Sequence, residues 1–266
     1  TDRGVRLESI AGAVTAASVA GRGAVDLLAT SGRVSVGSDS GSSFIGGAVS
    51  SSDAAVTLTA RDGVSTGDLG ATDITVTATG GDVAVGAVNA AAAATLTAEG
   101  SLTAGALMAS TGALFVRGRS GVTAGDVSTE GGVLDIGAAA GGVTLGAVRG
   151  SGAVTVTARD ALSAGDVVGA TGVAGDVVMS SADGALTVRS VTAGTSTALS
   201  RVALRSKGDL GVTAGGTTRG NIVASGGARL DSGAALRVGD ITATQDVQVT
   251  AQDALSAGAV RSNLHV

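Results

Sequence analysis

The sequence contains no Cys, Pro, Trp or Tyr, and its 266 residues include two Phe and one His. The lack of cysteine is compatible with the cytosol or with a bacterial exterior that is reached without disulfide formation. Aromatic residues normally fill irregular space in a core, so a core of small aliphatic residues suits a narrow interior of constant cross-section. Proline would remove a hydrogen bond from a β-ladder, and its absence fits a chain of paired strands.

Charge and hydropathy exclude further classes of protein. The net charge is −5 with a single lysine, Lys207, and the scattered arginines form no basic run. Nucleic-acid binding needs clustered Lys and Arg, so nucleic acid is not expected as a partner. No uninterrupted apolar stretch approaches the ~18 residues of a membrane span. Disorder is not expected either, because charge is low and 44% of the residues are hydrophobic.

A repeat of about 20 residues dominates the sequence. The segment AVTVTARDALSAGDV (153–167) is nearly repeated as AVTLTARDGVSTGDL (55–69) and as DVQVTAQDALSAGAV (246–260). Looser copies lie between them, and the four central steps are each 20 residues long. Aligned on their first apolar residue, twelve copies begin at Val5, Val25, Val56, Ile74, Ala94, Leu114, Leu134, Val154, Val177, Val202, Ala228 and Val247.

Each copy predicts three short strands. VTVTA (154–158) alternates apolar and polar residues with a period of two, as a half-buried strand does. A second alternating piece, ALSAG (161–165), leads to a Gly-Asp or Gly-Ala corner and a third apolar residue. Glycine tolerates positive φ, so a glycine at this fixed phase predicts a repeated bend. The sequence therefore predicts an all-β fold, a parallel β-helix (solenoid) of about twelve coils.

Stacked coils explain the aliphatic composition. If each strand pairs with its copies in adjacent coils, the inward residues form columns; the clearest predicted column is Leu58, Val76, Leu96, Val116, Ile136 and Val156. Twelve coils would make a rod about 55–60 Å long. Leucine-rich repeats are disfavoured because their Asn/Cys ladder is absent. GGDVAV (80–85) and GGVTLG (141–146) lack the glycine and aspartate spacing of calcium-binding nonapeptide repeats.

The repeat resembles the rod of filamentous-haemagglutinin-type exoproteins of bacterial two-partner secretion. The similarity lies in units such as AVTVTARDALSAGDV and GDVAVGAV and covers essentially all of residues 1–266. This family includes adhesins and contact-dependent toxin carriers. The resemblance implies a right-handed β-helix, export through an outer-membrane secretion pore, and a place in a secreted or cell-surface fibre. A host or neighbouring-cell surface is the partner it implies.

The whole chain, 1–266, is expected to be one rod segment. Its terminal segments are too short to cap the open strand edges. This favours either a piece of a longer rod or coils that continue end to end into a second molecule. Four steps are longer than the repeat, and their extra residues lie near 37–47, 168–175, 192–200 and 213–220. Insertions in solenoids project from corners, where recognition usually occurs.

Five residues are candidate contacts with a partner. Phe44, with Ser42 and Ser43, belongs to the Ser-rich first insertion, and an exposed Phe can anchor a partner. Phe115 lies at an outward position, and Phe115 and Arg117 together interrupt an array of outward Thr-x-Thr pairs. These pairs are Thr57/Thr59, Thr75/Thr77, Thr95/Thr97 and Thr155/Thr157. Thr-x-Thr arrays on flat faces occur in some ice-binding proteins, although threonine is also a common exposed strand residue.

No residue pattern predicts catalysis, a cofactor or a metal. His265 lies next to the end of the chain, where it cannot easily be fixed in a triad. The corner aspartates Asp68, Asp126, Asp166 and Asp240 are separated by coils with other residues, as expected if stacked like charges are avoided. Arg159-Asp160 is expected to be a local, exposed charge pair.

The predicted function is a non-catalytic structural rod that acts as a stiff spacer in an adhesin or exoprotein. The alternatives are a self-assembling extracellular filament and an ice- or surface-binding β-helix. A polysaccharide-cleaving β-helix is disfavoured, because the acids are scattered and sugar-stacking aromatics are nearly absent.

Overall fold

The computed structural model describes residues 4–39, 44–169, 175–194, 199–215 and 218–263. Over these residues the chain is all-β, without a helix, and winds through twelve coils. The strands of the first six coils are Val5–Ser9, Val14–Ala16 and Val19–Gly21 (coil 1); Val25–Ala29, Arg33–Asp39, Phe44–Gly46 and Val49–Ser51 (coil 2); Val56–Ala60, Gly63–Ser65 and Leu69–Ala71 (coil 3); Ile74–Ala78, Asp82–Val85 and Val88–Ala90 (coil 4); Ala94–Ala98, Ser101–Ala104 and Leu107–Ala109 (coil 5); and Leu114–Gly118, Gly121–Ala124 and Val127–Thr129 (coil 6).

In coils 8 and 9 the second and third strands merge into one. The strands of the last six coils are Leu134–Ala138, Val143–Leu145 and Val148–Gly150 (coil 7); Val154–Ala158 and Leu162–Gly169 (coil 8); Val177–Ser181 and Leu186–Ala193 (coil 9); Val202–Ser206, Leu210–Gly215, Thr218–Arg219 and Ile222–Ala224 (coil 10); Ala228–Ser232, Leu236–Arg237 and Ile241–Ala243 (coil 11); and Val247–Ala251, Leu255–Ser256 and Val260–Ser262 (coil 12).

The first strands of all coils form one 12-stranded parallel sheet, called sheet 1 here. Each of the twelve predicted repeat starts begins a strand of sheet 1 and pairs with the start of the next coil, as in Val56↔Ile74 and Ile74↔Ala94. Second strands pair with second strands and third with third, within a 24-stranded sheet. The predicted parallel β-solenoid of about 20 residues per coil is confirmed.

The predicted column of aliphatic side chains runs through the core and extends in both directions. It runs in register through sheet 1, and its members from Leu27 in coil 2 to Leu230 in coil 11 are 0% exposed. Six of these were predicted, and Met179 and Leu204 continue the column in coils 9 and 10. Because each residue lies directly over its counterpart, a narrow interior is filled without aromatic rings.

The last inward position of sheet 1 changes from alanine to serine along the rod. Ala158 of coil 8 is followed in register by Ser181, Ser206 and Ser232, all buried. The Ser206 hydroxyl donates to the Gly208 carbonyl at 2.8 Å, and the Ser232 hydroxyl donates to the same carbonyl at 3.0 Å. A small polar residue is tolerated here because the corner supplies backbone acceptors.

The glycines of the Gly-Asp and Gly-Ala corners lie at bends, as predicted, except Gly165, which lies inside the strand Leu162–Gly169. The predicted reason, positive φ, is wrong. Among the described glycines, positive φ occurs instead at Gly37, Gly63, Gly121 and Gly194. The corner glycines are required by close approach between coils: a Cβ on Gly86 would lie 2.4 Å from Asp68 Oδ1 and 2.8 Å from the Gly67 carbonyl carbon. A side chain at Gly86 would therefore push coil 4 away from coil 3.

Two of the four longer steps form short antiparallel hairpins. In coil 2, Arg33–Asp39 pairs with Phe44–Gly46 through Ser38↔Ile45. In coil 10, Leu210–Gly215 pairs with Thr218–Arg219 through Thr213↔Arg219. The other two longer steps follow the merged strands of coils 8 and 9, and residues 170–174 and 195–198 lie outside the described residues. The parallel ladder of sheet 1 continues past all four.

Candidate functional site

The outward face of sheet 1 carries the Thr-x-Thr array. Thr57, Thr75 and Thr95 pair in register across coils 3 to 5, and Thr59, Thr77 and Thr97 form a second column beside them. In coils 6 and 7 the same positions hold Phe115 and Arg117, then Asp135 and Gly137. Thr155 and Thr157 resume the pattern in coil 8. The uninterrupted array is therefore three coils long.

Phe115 and Arg117 lie together at this interruption, on the outward face. Phe115 is 39% exposed, and Val133, whose carbonyl accepts the Leu114 N–H at 2.9 Å, is 43% exposed. Arg117 reaches across to coil 7 and forms an ion pair with Asp135. Gly137 makes room for it, because a Cβ there would lie 3.2 Å from Arg117 Nη1. Because Phe115 pairs in register with Asp135, the structure places an exposed aromatic residue beside this ion pair.

The other candidate contact residues are described only in part. Phe44 begins the second strand of the coil 2 hairpin, where its backbone pairs with Asp39. Ser42, Ser43 and His265 lie outside the described residues.

The corner aspartates bind the backbone of the following coil, a role that the sequence did not reveal. Asp68 Oδ1 accepts the Ala87 N–H at 2.8 Å. Asp126 likewise accepts the Ala147 N–H at 2.8 Å. Asp240 accepts the Ala259 N–H at 2.9 Å. Each carboxylate satisfies a donor that the bend removes from the strand ladder. The signal that could have shown this is the Gly-Ala that follows each of these Gly-Asp corners one coil later.

Asp166 is the exception among these aspartates. The next coil has Arg189-Ser190 at this corner instead of Gly-Ala. Asp166 Oδ1 accepts the Ser190 hydroxyl at 2.7 Å, and Oδ2 lies 3.6 Å from Arg189 Nη1. Within the described residues, no group of three or more His, Cys, Asp or Glu side chains could hold a metal ion.

Ion pairs mostly connect consecutive coils. Glu99 of coil 5 pairs with Arg119 of coil 6 at 3.3 Å. The expected local pair of Arg159 with Asp160 is wrong: Arg159 Nε lies 3.1 Å from Asp183 of the next coil. Asp183 also binds Lys207 Nζ at 3.1 Å, so three coils are linked. The hydrogen bond and charge of Lys207, followed by the charge of Arg159, hold the pKa of the Asp183 carboxyl below its usual value.

Two shallow grooves lie on the outward face of sheet 1 in coils 9 to 12, and Arg229 lines both. The first contains Arg201, Asp246 and Gln248 over a floor that includes Ala203. The second contains Arg205, Asp231 and Gln252. Here the register brings together polar residues that are scattered in the sequence. In the described part of the chain, no helix is long and apolar enough to cross a membrane.

Comparison of the chain with protein-family models, with curated proteins and with solved structures gave no match.

Proposed function

We propose that this chain is a stiff, non-catalytic rod segment of a secreted or cell-surface bacterial fibre. The observation that carries the proposal is the unbroken inward column of sheet 1, whose members are fully buried from coil 2 to coil 11. In a solenoid each coil contacts only its neighbours, so length is set by coil number. The resemblance of the repeat to filamentous-haemagglutinin rods supports the bacterial fibre and its export through an outer-membrane pore.

Electron microscopy of the purified chain tests the rod. We expect straight particles about 55–60 Å long. Deleting residues 94–133 removes two whole coils. Leu134 then takes the place of Ala94 in sheet 1, so the register should be kept. The shortened chain should fold with the same circular-dichroism spectrum and be about 10 Å shorter. Globular particles, or an unfolded deletion variant, would contradict the proposal.

As a second proposal, we infer that such rods associate end to end. Leu255 and Val260 of coil 12 are 53% and 51% exposed, and Leu7 of coil 1 is 37% exposed. A coil stacked on either end, from the same fibre or from a second copy, would cover these side chains and pair the open strand edges. Filaments in the micrographs that lengthen with protein concentration would support this proposal, whereas single rods at every concentration would contradict it.

A further inference from the structure

The first groove of coils 9 to 12, called the arginine groove here, combines donors and acceptors. It has a volume of about 640 Å³, within the range of roughly 300–1,000 Å³ for ligand sites. Its polar lining consists of Asp176, Arg201, Arg229, Gln245, Asp246 and Gln248. Two arginines and two aspartates balance in charge, and the two glutamines add both amide donors and carbonyl acceptors.

The register of sheet 1 gives this groove its shape. Ala203 pairs with Arg229 of the next coil, and Val202 N–H bonds to the Gly227 carbonyl, which places Gly227 beside Arg201. Two arginines and two small residues therefore alternate: Arg201 lies beside Gly227, and Ala203 lies beside Arg229. The Cα atoms of Arg201 and Arg229 lie on a diagonal of about 8 Å, and the small residues leave a depression between the two side chains.

With respect to the described residues, both guanidinium groups retain free donors. Arg201 forms no ion pair with any described residue; its backbone N–H binds Asp176 Oδ1 at 2.9 Å. Arg229 binds Asp231 Oδ2 through Nε at 2.8 Å, so its terminal Nη atoms stay available. A guanidinium with two unused N–H groups binds a carboxylate in bidentate geometry.

We propose that the arginine groove binds a saccharide chain that carries carboxylate groups. Arg201 binds the sugar carboxylate, Arg229 donates to ring hydroxyls, and Asp246 and the glutamines accept hydrogen bonds from hydroxyls. Asp176 and Asp246 line the two ends of the groove, so a carboxylate is expected to bind between them, at Arg201.

The same geometry favours binding without cleavage. Asp176 and Asp246 precede the first strands of coils 9 and 12, so three coil spacings separate them, or about 14 Å. Glycoside hydrolysis requires two carboxyl groups roughly 5–9.5 Å apart. The site thus goes beyond the proposed rod function, since it gives one face of the rod an affinity for an acidic saccharide.

Isothermal titration of the full chain with tetragalacturonic acid and with its methyl ester tests the proposal. The ester keeps the hydroxyls and removes the charge. We expect the acid to bind at least about tenfold more tightly than the ester, and Arg201→Gln to remove that preference. Ala203→Leu, which fills the depression and leaves both arginines in place, should abolish binding of both forms.

Arg237→Gln is the matched control, because Arg237 is exposed in coil 11 on a second strand, away from sheet 1. It should leave the affinity within about twofold of the wild type. The proposal is wrong if the wild-type chain shows no saturable binding at millimolar tetragalacturonic acid, if acid and ester bind equally, or if Arg237→Gln weakens binding as much as Arg201→Gln. Circular dichroism of each variant verifies that the fold is retained.

Discussion

Replacing Val156 with Asp should unfold the rod around coil 8. Val156 is 0% exposed and lies in register between Ile136 and Met179. The substitution removes a buried valine, which contributes about 1.5–3 kcal/mol. It also leaves a buried carboxyl without a partner, at a further cost of about 1–3 kcal/mol. At neutral pH the group must also be protonated or remain charged, at about 1.4 kcal/mol per unit of raised pKa. Together these costs amount to about 5 kcal/mol or more.

Thr157→Asp is the control for this experiment. Thr157 is exposed on the same strand, and its neighbours in register are Gly137 and Ser180. Its free energy of unfolding should change by less than about 0.5 kcal/mol. Urea unfolding followed by circular dichroism gives both values, with the midpoints compared if the transition is not two-state. Equal stability of the two variants would refute the assignment of inward and outward positions.

Three further predictions concern polar groups and the outward face. Asp126→Ala should destabilise the chain by about 0.5–1.5 kcal/mol in urea unfolding, because the exposed Ala147 N–H exchanges its carboxylate acceptor for water, whereas Asp126→Asn should retain most of the stability. The pKa of Asp183, followed by NMR, should be below that of an unfolded aspartate and rise towards it in Lys207→Gln; the stabilisation from Asp183 is present above the unfolded pKa and is lost as pH falls through the lowered folded pKa. Phe115→Ser should lower the urea midpoint less than Val156→Asp does, since Phe115 is 39% exposed and Val156 is 0% exposed, while any lateral association of rods seen by light scattering should decrease.

The sequence was sufficient to predict the coil boundaries and the core. Alternation with a period of two marks which residues of VTVTA face inward, and a repeat of about 20 residues aligns them with their neighbours. All twelve strands of sheet 1 start at the predicted residue because an error of one position would turn every aliphatic side chain outward.

Interactions between coils were harder to predict from sequence. The contact of Asp126 with Ala147 spans 21 residues, and it requires knowing that the carboxylate points along the rod axis. Arg201 and Arg229 are 28 positions apart in an irregular part of the repeat, where the coil lengths change. Their proximity depends on the register across the insertion near 213–220, so the groove emerges only once the coils are stacked.

The most direct test of the stacked register is a pair of distances along one outward column. Thr77, Thr157 and Thr250 occupy the same position in coils 4, 8 and 12, and the natural chain has no cysteine to interfere with labelling. Spin labels on Thr77→Cys/Thr157→Cys should be about 19 Å apart, and those on Thr77→Cys/Thr250→Cys about 38 Å apart. Two distances in this ratio of one to two would confirm a rod of in-register coils, and distances that do not grow with the number of intervening coils would contradict it.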